Sequence, residues 1–155
     1  MEIASTIPAT SARTVWPRWL LLAGRLILGG IFAYAAYTKL SQPWMLFAMS
    51  INSYQVVSES STKLLAQTLP WFELALGLVL ITGWVLRWSA TVASALLLFF
   101  FSVMLHAYMK NLEIFCGCFG VGEKLGPWTL LRDGSLAALA IAVATGAFLM
   151  HRSRS

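Results

Sequence analysis

The sequence predicts an all-α integral membrane protein, a four-helix bundle in which antiparallel neighbours are joined by short loops. Three observations lead there. Of 155 residues, 59% are apolar and 11% charged, against roughly 45–50% and about 25% in soluble domains. Residues 88–109 hold 22 positions without an Asp, Glu, Lys or Arg, and at about 1.5 Å per residue such a run crosses the roughly 30 Å hydrocarbon layer. Seven Trp and nine Phe exceed what one water-soluble core of this length would hide. The formal charge of +5 includes no basic run that would track phosphates, so the expected partner is the lipid bilayer and not nucleic acid.

Along the chain, residues 1–18 form a small, polar N-terminal tail. A cleaved signal peptide is the competing reading, because Arg13 and Arg18 precede the first apolar run and Ala33-Tyr34-Ala35 loosely resembles a cleavage site. Arg25 in mid-run opposes it, since a signal h-region is uncharged. The membrane domain covers 19–150, with spans at 19–40, 69–86, 88–109 and 128–150, and 151–155 is a C-terminal tail. The first span carries Arg25 and Lys39, the second Glu73, the fourth Arg132 and Asp133. Pro70 is expected in the first turn of the second span, where proline is tolerated. The connection 41–68 mixes Trp44, Met45, Phe47 and Tyr54 with polar residues, so it is either an amphipathic helix at the interface or bundle cap, or a partly buried loop.

Flanking basic residues set the orientation. Arg13, Arg18, Arg87, Arg152 and Arg154 lie at one face, and Lys39, Lys63, Lys110 and Lys124 at the other, 5 against 4. The positive-inside rule then puts both termini in the cytoplasm and the loop after the third span outside. A charge at the centre of a span costs about 2.5–3.5 kcal/mol on insertion scales, so such groups face the bundle interior and seek partners. Arg25, Gly29, Phe32, Ala36 and Lys39 share one helical face, as do Glu73, Gly77, Leu80 and Trp84. A basic first span is therefore expected to pair with an acidic second span, with Gly29 and Gly77 allowing close approach. Arg132 and Asp133 form a further local pair.

The two cysteines, Cys116 and Cys118, flank Gly117 in that outer loop. Two thiolates supply half of a tetrahedral zinc shell, and His106 lies ten residues upstream in the span, so no metal site is expected. A bond closing so small a ring stabilises little, and it would be strained even with the turn freedom of Gly117 and Gly120. Strained, exposed disulfides are the exchangeable ones. A redox pair is the leading reading, with a structural bond or inert thiols as alternatives. His106, four residues before Lys110, is a proton donor or acceptor for the thiols in the functional reading and an interfacial histidine in the other.

Arg25-Leu26-Ile27-Leu28-Gly29, continuing through Phe32 to Lys39-Leu40, resembles the first-helix signature of the DoxX-like membrane proteins. Pro70-Trp71-Phe72-Glu73, followed by Gly77 and Gly83, resembles that family's second helix. Cys116-Gly117-Cys118-Phe119-Gly120 with the later Leu131-Arg132-Asp133 resembles the branch of the methylamine utilisation protein MauE. The likeness covers roughly residues 19–150. It implies a bacterial inner-membrane protein that assists maturation of the disulfide-rich methylamine dehydrogenase small subunit, with a thioredoxin-like periplasmic partner.

The expected chemistry is thiol–disulfide exchange, in which the more exposed thiolate attacks a partner disulfide and the second cysteine resolves the intermediate. A pair at one face needs a second redox agent, either a soluble protein or a quinone near Trp71, Trp128 and Arg132. Two other readings stand beside this one. One is a non-enzymatic assembly factor, the other a small transporter using Arg25, Glu73, Arg132 and Asp133 as a polar path.

Overall fold

A computed structural model describes residues 18–116 and 124–152. Five helices follow one another: α1 (Arg18–Leu40), α2 (Trp44–Ser53), α3 (Glu59–Thr82), α4 (Leu86–Met109) and α5 (Pro127–Arg152). All but α2 are long and apolar enough to cross a membrane. Among the described residues there is no strand, only an isolated antiparallel bridge between Phe115 and Lys124. The architecture is the helical membrane bundle that composition and hydropathy demand.

The bundle is assembled from two tight pairs, α1 on α3 and α4 on α5, with α1 also against α5. Glycine makes the first pair close. A Cβ at Gly29 would stand 2.8 Å from the Gly77 carbonyl oxygen, and one at Gly77 would stand 2.9 Å from the Gly29 carbonyl oxygen. Backbones therefore touch where larger residues would hold the helices apart, the small-residue packing that substitutes for a hydrophobic drive in lipid. Between the pairs lies a core of Leu28, Phe32, Leu76, Leu80, Ala90, Ala93, Ala140, Val143 and Ala144. Outside it, large apolar side chains face outward, as they do when the solvent is hydrocarbon.

Aromatic residues mark the membrane boundaries. Exposed Trp19 and Tyr37 bracket α1, and exposed Trp88 and Tyr108 bracket α4. At 1.5 Å per residue these pairs stand about 27 Å and about 30 Å apart, matching the hydrocarbon thickness between two aromatic belts.

Three boundaries differ from expectation. The second spanning helix begins at Glu59 and not at residue 69, so Pro70 lies inside α3 and not in its first turn. Ser60, Ser61, Thr62, Lys63 and Gln67 disguise these turns as loop, but Thr62 and Ala66 are buried there, and the helix runs on because one stripe packs. The proline that does open a helix is Pro127, the first residue of α5. Gly83, with φ of 74°, closes α3 before residue 86, and Leu86 starts α4. The connection 41–68 contains α2, which lies on α3 and turns Phe47 and Ser50 inward. It is thus helical and caps one end of the bundle.

Candidate functional site

The helix directions bring the C-terminal ends of α1 and α4, the N-terminal ends of α3 and α5, and α2 to one end of the bundle, called here the cysteine end. Beyond α4, Asn111 takes a left-handed φ of 51° and reverses the chain. The Leu125 amide donates to the Ile114 carbonyl at 3.0 Å, and the Phe115–Lys124 bridge closes the loop's base. This clasp seats Cys116 inward, 4% exposed, under α2 and against α4 and α5. Tyr54, just past α2, donates its hydroxyl to the Cys116 carbonyl at 3.1 Å. The Cys116 Sγ stands 3.8 Å from Met104 Sδ and 3.9 Å from Asp133 Oδ2. The second distance is that of a long, weak S–H···O contact, with the carboxylate placed to receive a thiol proton.

Asp133 is itself held by Arg132, whose Nε donates to Oδ1 at 3.1 Å. Deeper, Lys39 Nζ donates to both carboxylate oxygens of Glu73, at 2.7 and 2.6 Å, with both side chains about 95% buried. The ammonium also lies 5.2 Å from the centre of the Phe47 ring. Glu73 stands one turn from Gly77, the residue that faces Gly29, about 6 Å along the axis toward the cysteine end and so below the level of Tyr37. Lys39 leaves the last turn of α1 and reaches back along the bundle, the direction in which helical side chains lean.

Cys116, Asp133, Lys39 and Glu73 all line one cavity of about 220 Å³. Its remaining wall is almost wholly apolar, with Phe32, Phe47, Phe101 and Met104 among its members. Exposed Val56, Leu65 and Phe99 belong to its lining, so the cavity reaches the outer surface of the bundle.

Other expected participants lie elsewhere. His106 is exposed in the last turn of α4 and does not line the cavity. Trp71 and Trp128 are 62% and 75% exposed and face away from it. Cys118, Gly117 and Gly120 lie outside the described residues. Arg25 does not share the acid of the second span; Lys39 takes that role alone. The Arg25 guanidinium instead lies against Gly83, in a second cavity of about 510 Å³ at the far end of the bundle, lined also by Arg18, Arg87 and His151. Among the described residues, no group of three or more His, Cys, Asp or Glu is placed to hold a metal ion. Tyr54, Met104 and Phe47 escaped sequence reasoning, because each reaches the site through a contact distant in the chain and carries no local motif.

No solved structure matches the chain. The family model described as methylamine utilisation protein MauE matches residues 17–146. The methylamine utilization protein MauE of Paracoccus denitrificans is 32% identical over 130 residues, covering 82% of this chain and 69% of that protein. A family match over residues 17–146 and a relative of 32% identity, joined to a four-span helical bundle, establish that the chain belongs to the MauE family.

Proposed function

We propose that this MauE-family protein exchanges thiol and disulfide with an extracytoplasmic partner through Cys116 and Cys118. The observation that carries the reading is the seat of Cys116, a buried thiol beside a carboxylate at the base of a clasped loop. A cysteine serving only as apolar filler needs no carboxylate at its sulfur. Family membership supports placement in the bacterial inner membrane, with both termini cytoplasmic and the loop periplasmic. The name of the Paracoccus relative, methylamine utilization, supports a partner from that pathway, either a thioredoxin-like protein or the disulfide-rich small subunit of methylamine dehydrogenase.

The burial of Cys116 suggests a division of roles. With Cys116 held against the bundle, Cys118 is assigned the exchange with the partner. A partner thiolate attacks Cys118 of the loop disulfide, the Cys116–Cys118 bond breaks, and a mixed disulfide forms. The partner's second thiolate then displaces Cys118. The partner leaves with a new disulfide and the loop holds two thiols, so two electrons pass from partner to loop.

Replacing both cysteines by serine tests the reading. The partner's disulfide content, read by alkylation and mass spectrometry, falls in the double variant; unchanged content overturns the proposal. Mixed with an oxidised, disulfide-bearing partner, the Cys116→Ser variant attacks it through the Cys118 thiolate and the mixed disulfide persists for want of a resolving Cys116, whereas Cys118→Ser traps none.

A further inference from the structure

The cavity beside Cys116 has a chemistry of its own. We infer that it holds the ring of a lipid-soluble quinone, which accepts two electrons from the Cys116–Cys118 pair; this rests on the thiol–disulfide reading above.

The first argument is electron count. The chain has two cysteines in 155 residues, and a dithiol releases exchange equivalents two electrons at a time. Once reduced by its partner, the loop must pass both on before it can act again. An acceptor that meets Cys116 directly has to reach a thiol that is 4% exposed and faces the bundle. A folded soluble protein does not fit through a 220 Å³ space, whereas a planar ring does.

The second argument is the shape of the wall. Pockets for whole drug-sized ligands run to about 300–1,000 Å³, so this smaller cavity takes one substituted ring and leaves an isoprenoid tail outside. The tail has a place to go, since Phe99, exposed within the spanning helix α4, lines the cavity at hydrocarbon depth. A quinone presents apolar faces and two carbonyl oxygens, and the lining matches both. Phe32, Phe47 and Phe101 offer rings for the faces. The polar groups are confined to the Lys39–Glu73 pair and the Cys116–Asp133 contact. An ammonium has three donors; Glu73 engages Lys39 through two contacts, which leaves a third N–H for a ring carbonyl.

The step balances. The two S–H bonds break, the Cys116–Cys118 bond forms, and two electrons and two protons convert quinone to quinol. Asp133 takes the Cys116 proton across the 3.9 Å gap to its Oδ2, and the Lys39–Glu73 pair hydrogen-bonds the oxygen that gains charge.

The test uses the full chain in phospholipid nanodiscs, its loop reduced and the reductant removed, mixed with a decyl-substituted benzoquinone. Ultraviolet absorbance should show one quinol formed per chain, and mass spectrometry one Cys116–Cys118 disulfide. Val56→Trp at the mouth and Ala35→Phe within the wall should each slow quinol formation about tenfold or more, the factor that about 1.4 kcal/mol of lost binding represents. Leu149→Trp, on an exposed lipid face far from the cavity, should match the parent. Because Val56 is exposed, its variant folds even where Ala35→Phe does not. Quinol formation that survives Cys116→Ser, or that is undiminished in Val56→Trp, overturns the site. So does a chain that leaves the quinone oxidised yet still exchanges with a dithiol protein; the exchange reading then stands without the quinone. A reduced chain that reacts with neither overturns both.

Discussion

At the cysteine end of the bundle Lys39 meets Glu73 and Arg132 meets Asp133, whereas at the opposite end Arg18, Arg25, Arg87 and His151 gather in one cavity whose described lining contains no acid. Burial and reach explain the contrast. Glu73 is buried between helices, where a lone charge is costly, and a counter-charge with good geometry is what lets it stay. Arg25 lies six residues into α1 from Trp19, about 9 Å below the aromatic belt, and its long side chain reaches toward the interface beside Gly83. Arg87 uses an aromatic face instead, 5.8 Å from the centre of the Phe148 ring. Acid–base pairs therefore lie around the thiol and its cavity, and basic groups gather at the boundary in a cavity whose described lining holds no acid.

If this contrast is right, substitutions at the two ends have unequal effects. The largest belongs to the buried pair. Glu73→Leu or Lys39→Met alone leaves an uncompensated charge and should cost about 3–5 kcal/mol of stability, while the double variant recovers most of it. Unfolding of the detergent-solubilised protein by a denaturing surfactant measures both, and equal losses in single and double variants would break the contrast. Next comes the helix contact that brings Lys39 to Glu73. Gly77→Leu collides with the α1 backbone and should cost about 1–3 kcal/mol or more, read by the same unfolding assay. At the basic end, Gly83→Ala meets both a left-handed φ and the Arg25 guanidinium, and about 1–2 kcal/mol is expected. Tyr54→Phe removes one hydrogen bond to the Cys116 carbonyl and should cost about 0.5–1.5 kcal/mol, with faster amide exchange in the loop as its local signature. The smallest effect is that of Arg87→Leu, which loses a half-wet cation–π contact worth about 0.5–1 kcal/mol.

Much of the fold was legible because the bilayer imposes one coarse rule. A helix must bring its own backbone partners and expose apolar side chains, and residues 88–109 obey it so fully that hydropathy alone finds them. Residues 59–68 were not legible. Their serines, threonine and lysine suit water, and only the burial of Thr62 and Ala66 against neighbouring helices explains why α3 begins there. In the site, periodicity correctly placed Arg25 and Lys39 on one face of α1, and Gly29 opposite Gly77. It carries no information on depth, however, and these two basic residues are 14 positions apart, about 21 Å along the axis. Pairing needs that coordinate, which is why one of them meets Glu73 and the other does not. Tyr54 and Met104 illustrate a different limit. They join Cys116 across 62 and 12 residues of chain, and no local spacing announces such contacts.

The central claim is that the cysteine end works as an exchangeable thiol pair outside the cytoplasm. Labelling intact cells with a membrane-impermeant thiol reagent, before and after mild reduction, tests it most directly. The account predicts that Cys118 takes up label only after reduction, which marks an oxidised and readily reduced pair. Labelling confined to lysed cells would place the loop on the cytoplasmic side and contradict the account.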